Sequence, residues 1–133
     1  MESGYIFIYN NIFPTLLAIS EQEQSKGLMN EAWPPPIMSF IFKSAKINHF
    51  WMRSTPSPLD IVFCNAGKVS QICYGEPNST TMIGDNIPSD LIIEMPHGTA
   101  LASNIQLGHN VGLIKPEPTE LKKIIAEKYR FNF

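Results

Sequence analysis

The chain carries only two cysteines, Cys64 and Cys73. A turn at Ala66-Gly67 would set Cys64 opposite Val69 and leave Cys73 about four residues out of register. At ~3.3 Å per residue that offset exceeds the reach of a disulfide. Two free buried thiols are therefore expected, in keeping with a reducing compartment. Positive charge is equally scarce: ten Lys and Arg stand against twelve Asp and Glu, for a net charge of −2. With no basic stripe, the chain is not expected to neutralise phosphates, and a nucleic-acid partner is excluded.

Long apolar runs are missing too. Every run falls far short of the ~18 residues that a membrane span needs, so no membrane contact is expected. The acidic Glu2 stands where an export signal would carry positive charge, and no clear small-residue cleavage site follows. A soluble, unexported, cytoplasmic chain is the expectation. There is no phosphate-cradling glycine motif. His49, His97 and His109 lie at no metal-ligand spacing with each other or with the cysteines, so neither a metal nor a cofactor is expected.

What the chain does have is core-forming material. Hydrophobic residues make up 44 % and aromatics 11 % of its 133 residues, enough for one ordinary domain of ~100–150 residues. Eleven prolines against eight glycines favour short strands and turns over a helical bundle, because proline breaks helix interiors and central strands alike. The expected fold is mostly β, a compact antiparallel sandwich or barrel with short helices.

The apolar segment Tyr5 to Tyr9 reads as a first strand and Leu16 to Ile19 as a second. Ser20-Glu21-Gln22-Glu23 is a capping box, which predicts a short helix from Glu21 to Lys26 ended by Gly27, with Leu28 and Met29 turning into the core. Three prolines after Trp33 make a polyproline-like loop. Strands are expected at Ile37–Phe42, Phe50–Ser54 and Leu91–Met95. Leu59–Cys64 and Lys68–Tyr74 form a hairpin about Asn65-Ala66-Gly67. Glu76 to Pro88 reads as a loop, Thr99 to Asn104 as one helical turn, and Gln106 to Ile114 as the closing strand region.

The chain divides at residue 116, with a β-rich domain over residues 1–115 and a tail over 116–133. Pro116-Glu117-Pro118-Thr119 is a stop followed by an N-cap, and Leu121, Ile124 and Ile125 share one helical face. The tail is expected to be an amphipathic helix ending in Phe131-Asn132-Phe133.

The segment His49 to Asp60 carries the distinctive chemistry. Thr55-Pro56-Ser57-Pro58 reads as a turn, which in an antiparallel pairing sets Arg53 opposite Asp60 and Trp51 opposite Val62. Alternation then places Trp51, Arg53, Asp60 and Val62 on one face, with Phe50, Met52, Leu59, Ile61 and Phe63 facing the core. The polar set supports two readings. One is a cross-strand salt bridge capped by an indole. The other is a recognition notch, where Arg53 holds an anionic or carbonyl group, Asp60 orients it and Trp51 stacks on it.

Gly27-Leu28-Met29, Phe40-Ile41-Phe42, Phe50-Trp51-Met52-Arg53-Ser54-Thr55, Pro58-Leu59-Asp60-Ile61, Gly67-Lys68-Val69, Glu94-Met95-Pro96 with Gly98-Thr99-Ala100, and Ile105 with Gly108 follow in order. This run resembles domain-of-unknown-function family 192 over roughly residues 5 to 114. The resemblance implies a compact β-sandwich or barrel with short helices and no established activity. It places the family's signature polar residues on Arg53, Thr55 and Asp60, with Trp51 and Met52 beside them. The chain departs from the family in having Arg53-Ser54 for lysine-asparagine, His109 for an aspartate, no export segment, and the extra helix after Pro116.

Two functions of different class follow. In one, the chain is a binding module whose notch of Trp51, Arg53, Thr55 and Asp60 accepts a small polar ligand, peptide or glycan group. In the other it is a structural or assembly protein whose Leu121, Ile125, Phe131 and Phe133 contact a protein partner or another subunit of an oligomer. An enzyme ranks behind both, since no nucleophile with its base and no carboxylate pair of fixed separation can be assembled. No catalytic residue is therefore named.

Overall fold

A computed structural model describes residues 1–114. The expected C-terminal helix, with Leu121, Ile125, Phe131 and Phe133, and the division at residue 116 lie outside the described residues. In chain order the elements are β1 (Glu2–Ile8), β2 (Asn11–Ala18), α1 (Glu21–Lys26), β3 (Met38–Ile47), β4 (Leu59–Asn65), β5 (Lys68–Gly75), β6 (Pro88–Pro96), α2 (Thr99–Ala102) and β7 (Val111–Ile114).

All seven strands belong to one sheet in the order β5-β4-β6-β3-β2-β1-β7. The ends of this sheet curl toward each other. Lys68 at the start of β5 bridges Asn110, just before β7, and Val69 N–H donates to the His109 carbonyl at 2.9 Å. The result is a half-barrel with two short helices. The expected antiparallel rule holds for every pair except β2 and β3, which run parallel from Leu16↔Met38 to Ala18↔Phe40. The connection between them explains the exception. Nineteen residues, including α1, separate the two strands, long enough for the crossover that a parallel pair requires.

Local chemistry accounts for the elements. The capping box forms as expected: Glu23 N–H donates to Ser20 Oγ, and Ser20 N–H donates back to Glu23 Oε1, both at 3.1 Å. The helix stops at Gly27, whose φ of 49° and ψ of −132° suit a residue without Cβ. Ala66 and Gly67, both at positive φ, form the two-residue turn between β4 and β5. Cys64 pairs with Val69 and Cys73 with Ile61, so the two thiols are free. Of the pair after Gly27, Leu28 is buried and Met29 only half-buried.

The central strands are buried on both faces, which explains their near-continuous apolar runs. On β4, Val62 and Cys64 join Ile6, Ile8, Ile93 and Met95 in a core on the concave side. Leu59, Ile61 and Phe63 join Ala18, Leu28, Phe40, Met52 and Ile92 in a second core under α1 and the segment that follows it. Side-chain parity therefore decides which core, and which polar neighbours, each strand residue meets.

The expected Phe50–Ser54 strand and its hairpin with Leu59–Val62 do not form. β4 is an inner strand whose two edges are already taken by β5 and β6, so no ladder groups remain for residues 50–54. That segment is instead tied to the 76–83 loop. Phe50 bridges Ile83, Met52 N–H donates to the Ser79 carbonyl at 2.9 Å, and Asn78 N–H to the Thr55 carbonyl at 2.9 Å.

Candidate functional site

The expected notch separates into two places. Asp60 and Arg53 are not partners. Asp60 is 7 % exposed and belongs to the β4 face that carries Val62. Its Oδ2 accepts N–H bonds from Gly98 at 3.0 Å and Ala100 at 2.9 Å, and its Oδ1 lies 2.8 Å from His97 Nδ1. The carboxylate thus fastens the start of α2 to the sheet. His97 packs edge-on against Tyr74, with ring centroids 4.7 Å apart. Neither the cross-strand salt bridge with Arg53 nor the shared notch forms at Asp60; its carboxylate is a scaffold group with other partners.

Arg53 is exposed. Its guanidinium carbon lies 5.6 Å from the centroid of the Trp51 ring, an attraction between a cation and an aromatic face. Thr55 is buried and its hydroxyl donates to the Arg53 carbonyl at 3.1 Å. Trp51, by contrast, is 43 % exposed.

Trp51 and Thr55 line a cleft of about 390 Å³ between α1, β3 and the 48–55 segment. The base of this cleft holds Glu94 of β6, a residue that no reading of the sequence singled out as a site. Strand register sets it there: Ile61 of β4 and Met38 of β3 are its neighbours, both on the α1 side. Glu94 is 4 % exposed, and its Oε1 has no hydrogen-bond partner among the described residues. Burial away from water pushes its pKa up to about 8, so the carboxyl holds its proton at neutral pH.

The end of α1 lies close to this carboxyl. A Cβ at Gly27 would meet Phe40 Cζ at 3.4 Å and Glu94 Oε1 at 3.5 Å, ordinary contact distances, so it is the positive φ and not lack of space that calls for glycine here. Phe42 and Phe50 supply aromatic surface, while Lys26, Lys46, Asn48 and His49 bring polar groups to the same cleft. Asn48 is fixed by bonds from its amide to the Lys46 carbonyl at 2.9 Å and to Ser89 Oγ at 3.0 Å.

A larger groove of about 870 Å³ runs beside Glu2, Tyr5, Pro34–Pro36 and Ile114. Among the described residues its polar side chains are few and no buried charge lines it, so the smaller cleft is the better site. Among the described residues no three of His, Cys, Asp and Glu converge as a metal would require. No helix among them is long and apolar enough to cross a membrane. Cys64 is buried and Cys73 partly so; burial pushes the Cys64 thiol up to about 12 and raises that of Cys73.

The pattern of domain-of-unknown-function family 192 (DUF192), described as "Uncharacterized ACR, COG1430", matches residues 10–113. The chain belongs to DUF192. Three segments that carry the DUF192 resemblance, around Gly27-Leu28-Met29, Phe50 to Thr55 and Glu94, meet at the cleft. A crystal structure of a protein of unknown function from Novosphingobium aromaticivorans DSM 12444 is similar to this DUF192 chain. The two are 28 % identical over 83 % of this chain and 84 % of the other, with a TM-score of 0.75. A second structure, of a candidate transcription regulator from Sinorhizobium meliloti 1021, is 21 % identical, with a TM-score of 0.78 over 84 % and 94 % of the chains. At that identity the likeness concerns the fold alone. Among curated proteins there is no match.

Proposed function

We propose that this DUF192 chain is a non-catalytic binding module whose small ligand enters the cleft above Glu94. The observation that carries the reading is the carboxyl itself. A buried polar group without a partner costs on the order of 1–3 kcal/mol, and such a group calls for a partner from outside the fold, a ligand or an ordered water. Trp51 supplies a flat, half-exposed wall to the cleft, and Thr55 a fixed edge. The notch is thus rebuilt around Trp51, Thr55 and Glu94, with Asp60 serving the scaffold and Arg53 backing the indole.

Acid–base catalysis fits less well. Among the described residues Glu94 Oε1 has no hydrogen-bonded base behind it, and Asp60 belongs to the other face of the sheet, so these two carboxyls do not act as a pair. The net charge of −2 speaks against transferring the Sinorhizobium protein's transcription role. The free thiols support a reducing, cytoplasmic setting.

A fragment screen read by amide NMR tests the proposal. Binding fragments should move the amides of Leu28, Trp51 and Thr55, and Trp51→Ala should abolish those shifts while leaving the rest of the spectrum in place. A library that moves none of these amides sinks the reading.

The assembly reading draws on one observation. The larger groove is bounded by Ile114, the point where residues 115–133 begin. Removing residues 116–133 should then change the mass in solution or release a bound partner; an unchanged mass with no partner lost counts against it.

A further inference from the structure

We propose that the cleft takes the cationic end of a small ligand, a guanidinium or ammonium group whose N–H bonds complete the Glu94 carboxylate while its charge rests against aromatic walls. The inference rests on the binding-module reading and names the class of ligand.

The first support is the unsatisfied oxygen. Glu94 Oε1 is buried and bonds to nothing among the described residues. A ligand that only accepts hydrogen bonds could take the proton of the acid but would leave its carbonyl oxygen bare. A guanidinium or ammonium donates to both oxygens and offsets the charge, the arrangement that makes a buried carboxylate tolerable.

The second support is the wall. Phe42, Phe50 and Trp51 line the cleft, and aromatic faces attract cations most where water is excluded. The chain already shows this on two of the three rings. Lys46 Nζ lies 5.2 Å from the Phe42 centroid and the Arg53 guanidinium carbon 5.6 Å from that of Trp51. The cleft volume of about 390 Å³ falls within the range for small-ligand sites.

The charged and titratable groups around the cleft are Glu21 and Lys26 of α1, Lys46 of β3 and His49 beyond it. β4 places the apolar Ile61 beside Glu94. Because Glu94 holds its proton at neutral pH, seating a cation breaks its O–H bond, sends the proton to solvent and forms N–H bonds to the freed carboxylate. Cation binding therefore tightens as pH rises toward about 8 and levels off above it. A His49→Gln variant separates Glu94 from the neighbouring imidazole.

The test uses three probes of one shape: benzylguanidinium, benzyl alcohol and benzoate. A guanidinium stays charged across the range, so the ligand adds no titration of its own. Benzylguanidinium should move the Leu28, Trp51 and Thr55 amides, and its affinity should rise about tenfold or more between about pH 6.5 and 8.5. His49→Gln should keep that rise, and Glu94→Gln should lose both the affinity and the rise. Should Glu94→Gln not fold, the pH profile and probe order of the native protein still decide. Tighter seating of benzoate or benzyl alcohol on the same amides overturns the cationic class and leaves the binding module standing. If benzylguanidinium fails to move these amides while library fragments succeed, the class is again wrong. If nothing moves them, both readings fall together.

Discussion

Asp60 and Glu94 lie one register step apart on the paired strands β4 and β6, yet they face opposite sides of the sheet. The pairs Asp60↔Met95 and Ile61↔Glu94 are successive, and alternation does the rest. One carboxyl is engaged at both oxygens by its own chain; the other leaves its Oε1 without a partner among the described residues. Two acids on neighbouring strands thus have different work.

Asp60→Ala should be severe. It strands the amides of Gly98 and Ala100 and removes the partner of His97, so a loss of about 2–4 kcal/mol is expected in urea unfolding. Arg53→Ala should change stability by no more than about 0.5 kcal/mol. The double variant should show simple additivity, because the two side chains share no contact; a coupling above about 0.5 kcal/mol would revive the cross-strand pair.

Stability should depend on pH through Glu94. Its pKa is raised from 4.5 unfolded to about 8 folded, so the folded state binds the extra proton between those values. The sign follows: the contribution is fully present below pH 4.5, declines as pH rises, and is lost once pH passes about 8. The slope is at most about 1.4 kcal/mol per pH unit. Glu94→Gln should flatten the profile, so that the variant gains on the native protein at pH 8 relative to pH 5. Parallel urea curves at the two values check this.

Gly27→Ala should lower stability by about 1–3 kcal/mol, since its backbone lies in a region that side chains with Cβ avoid. The added methyl would also stand against Glu94 Oε1 and Phe40. Ligand affinity should fall with it, read by the same amide shifts.

The thiols should resist alkylation in the folded protein at neutral pH. Burial keeps both protonated, Cys64 most firmly, and the thiolate is the reactive form. Mass spectrometry after brief treatment with iodoacetamide should find Cys73 modified before Cys64. Unfolding should make the two equivalent.

Elements governed by local chemistry were legible in the sequence. The capping box, the Gly27 stop and the Ala66-Gly67 turn depend on neighbours in the chain, and each forms where its residues indicate. The failures are all long-range. Pro56 and Pro58 suggest a turn between adjacent strands, but β4 spends its two edges on β5 and β6, a fact set by residues 68–75 and 88–96. The β2–β3 parallel pair has the same origin. Of the expected site, Trp51 and Thr55 reached the cleft because they occupy the segment that covers it; Asp60 did not, because parity sends it through the sheet.

Glu94 left one signal that was readable. It is the single charge in Leu91-Ile92-Ile93-Glu94-Met95, an apolar run of the kind that a strand buried on both faces requires. A carboxyl in such a run has no solvent side to turn to. Its lack of a partner, however, depends on α1 and β3, and only the assembled fold reveals it.

The seam between Lys68 and Asn110 has a consequence for the molecule's behaviour in company. β5 and β7 are the two outer strands of the sheet, the places where unsatisfied amides invite a neighbouring chain to add a strand. Here each helps to block the other. Val111 N–H donates to the Gly67 carbonyl and Gly108 N–H to that of Val69, Lys68 Nζ holds Asn110 Oδ1 at 3.0 Å, and Tyr9 stacks on His109 across the same join. The curl acts as a clasp against self-templating, and loosening this seam would bare both edges of the sheet to a neighbouring chain.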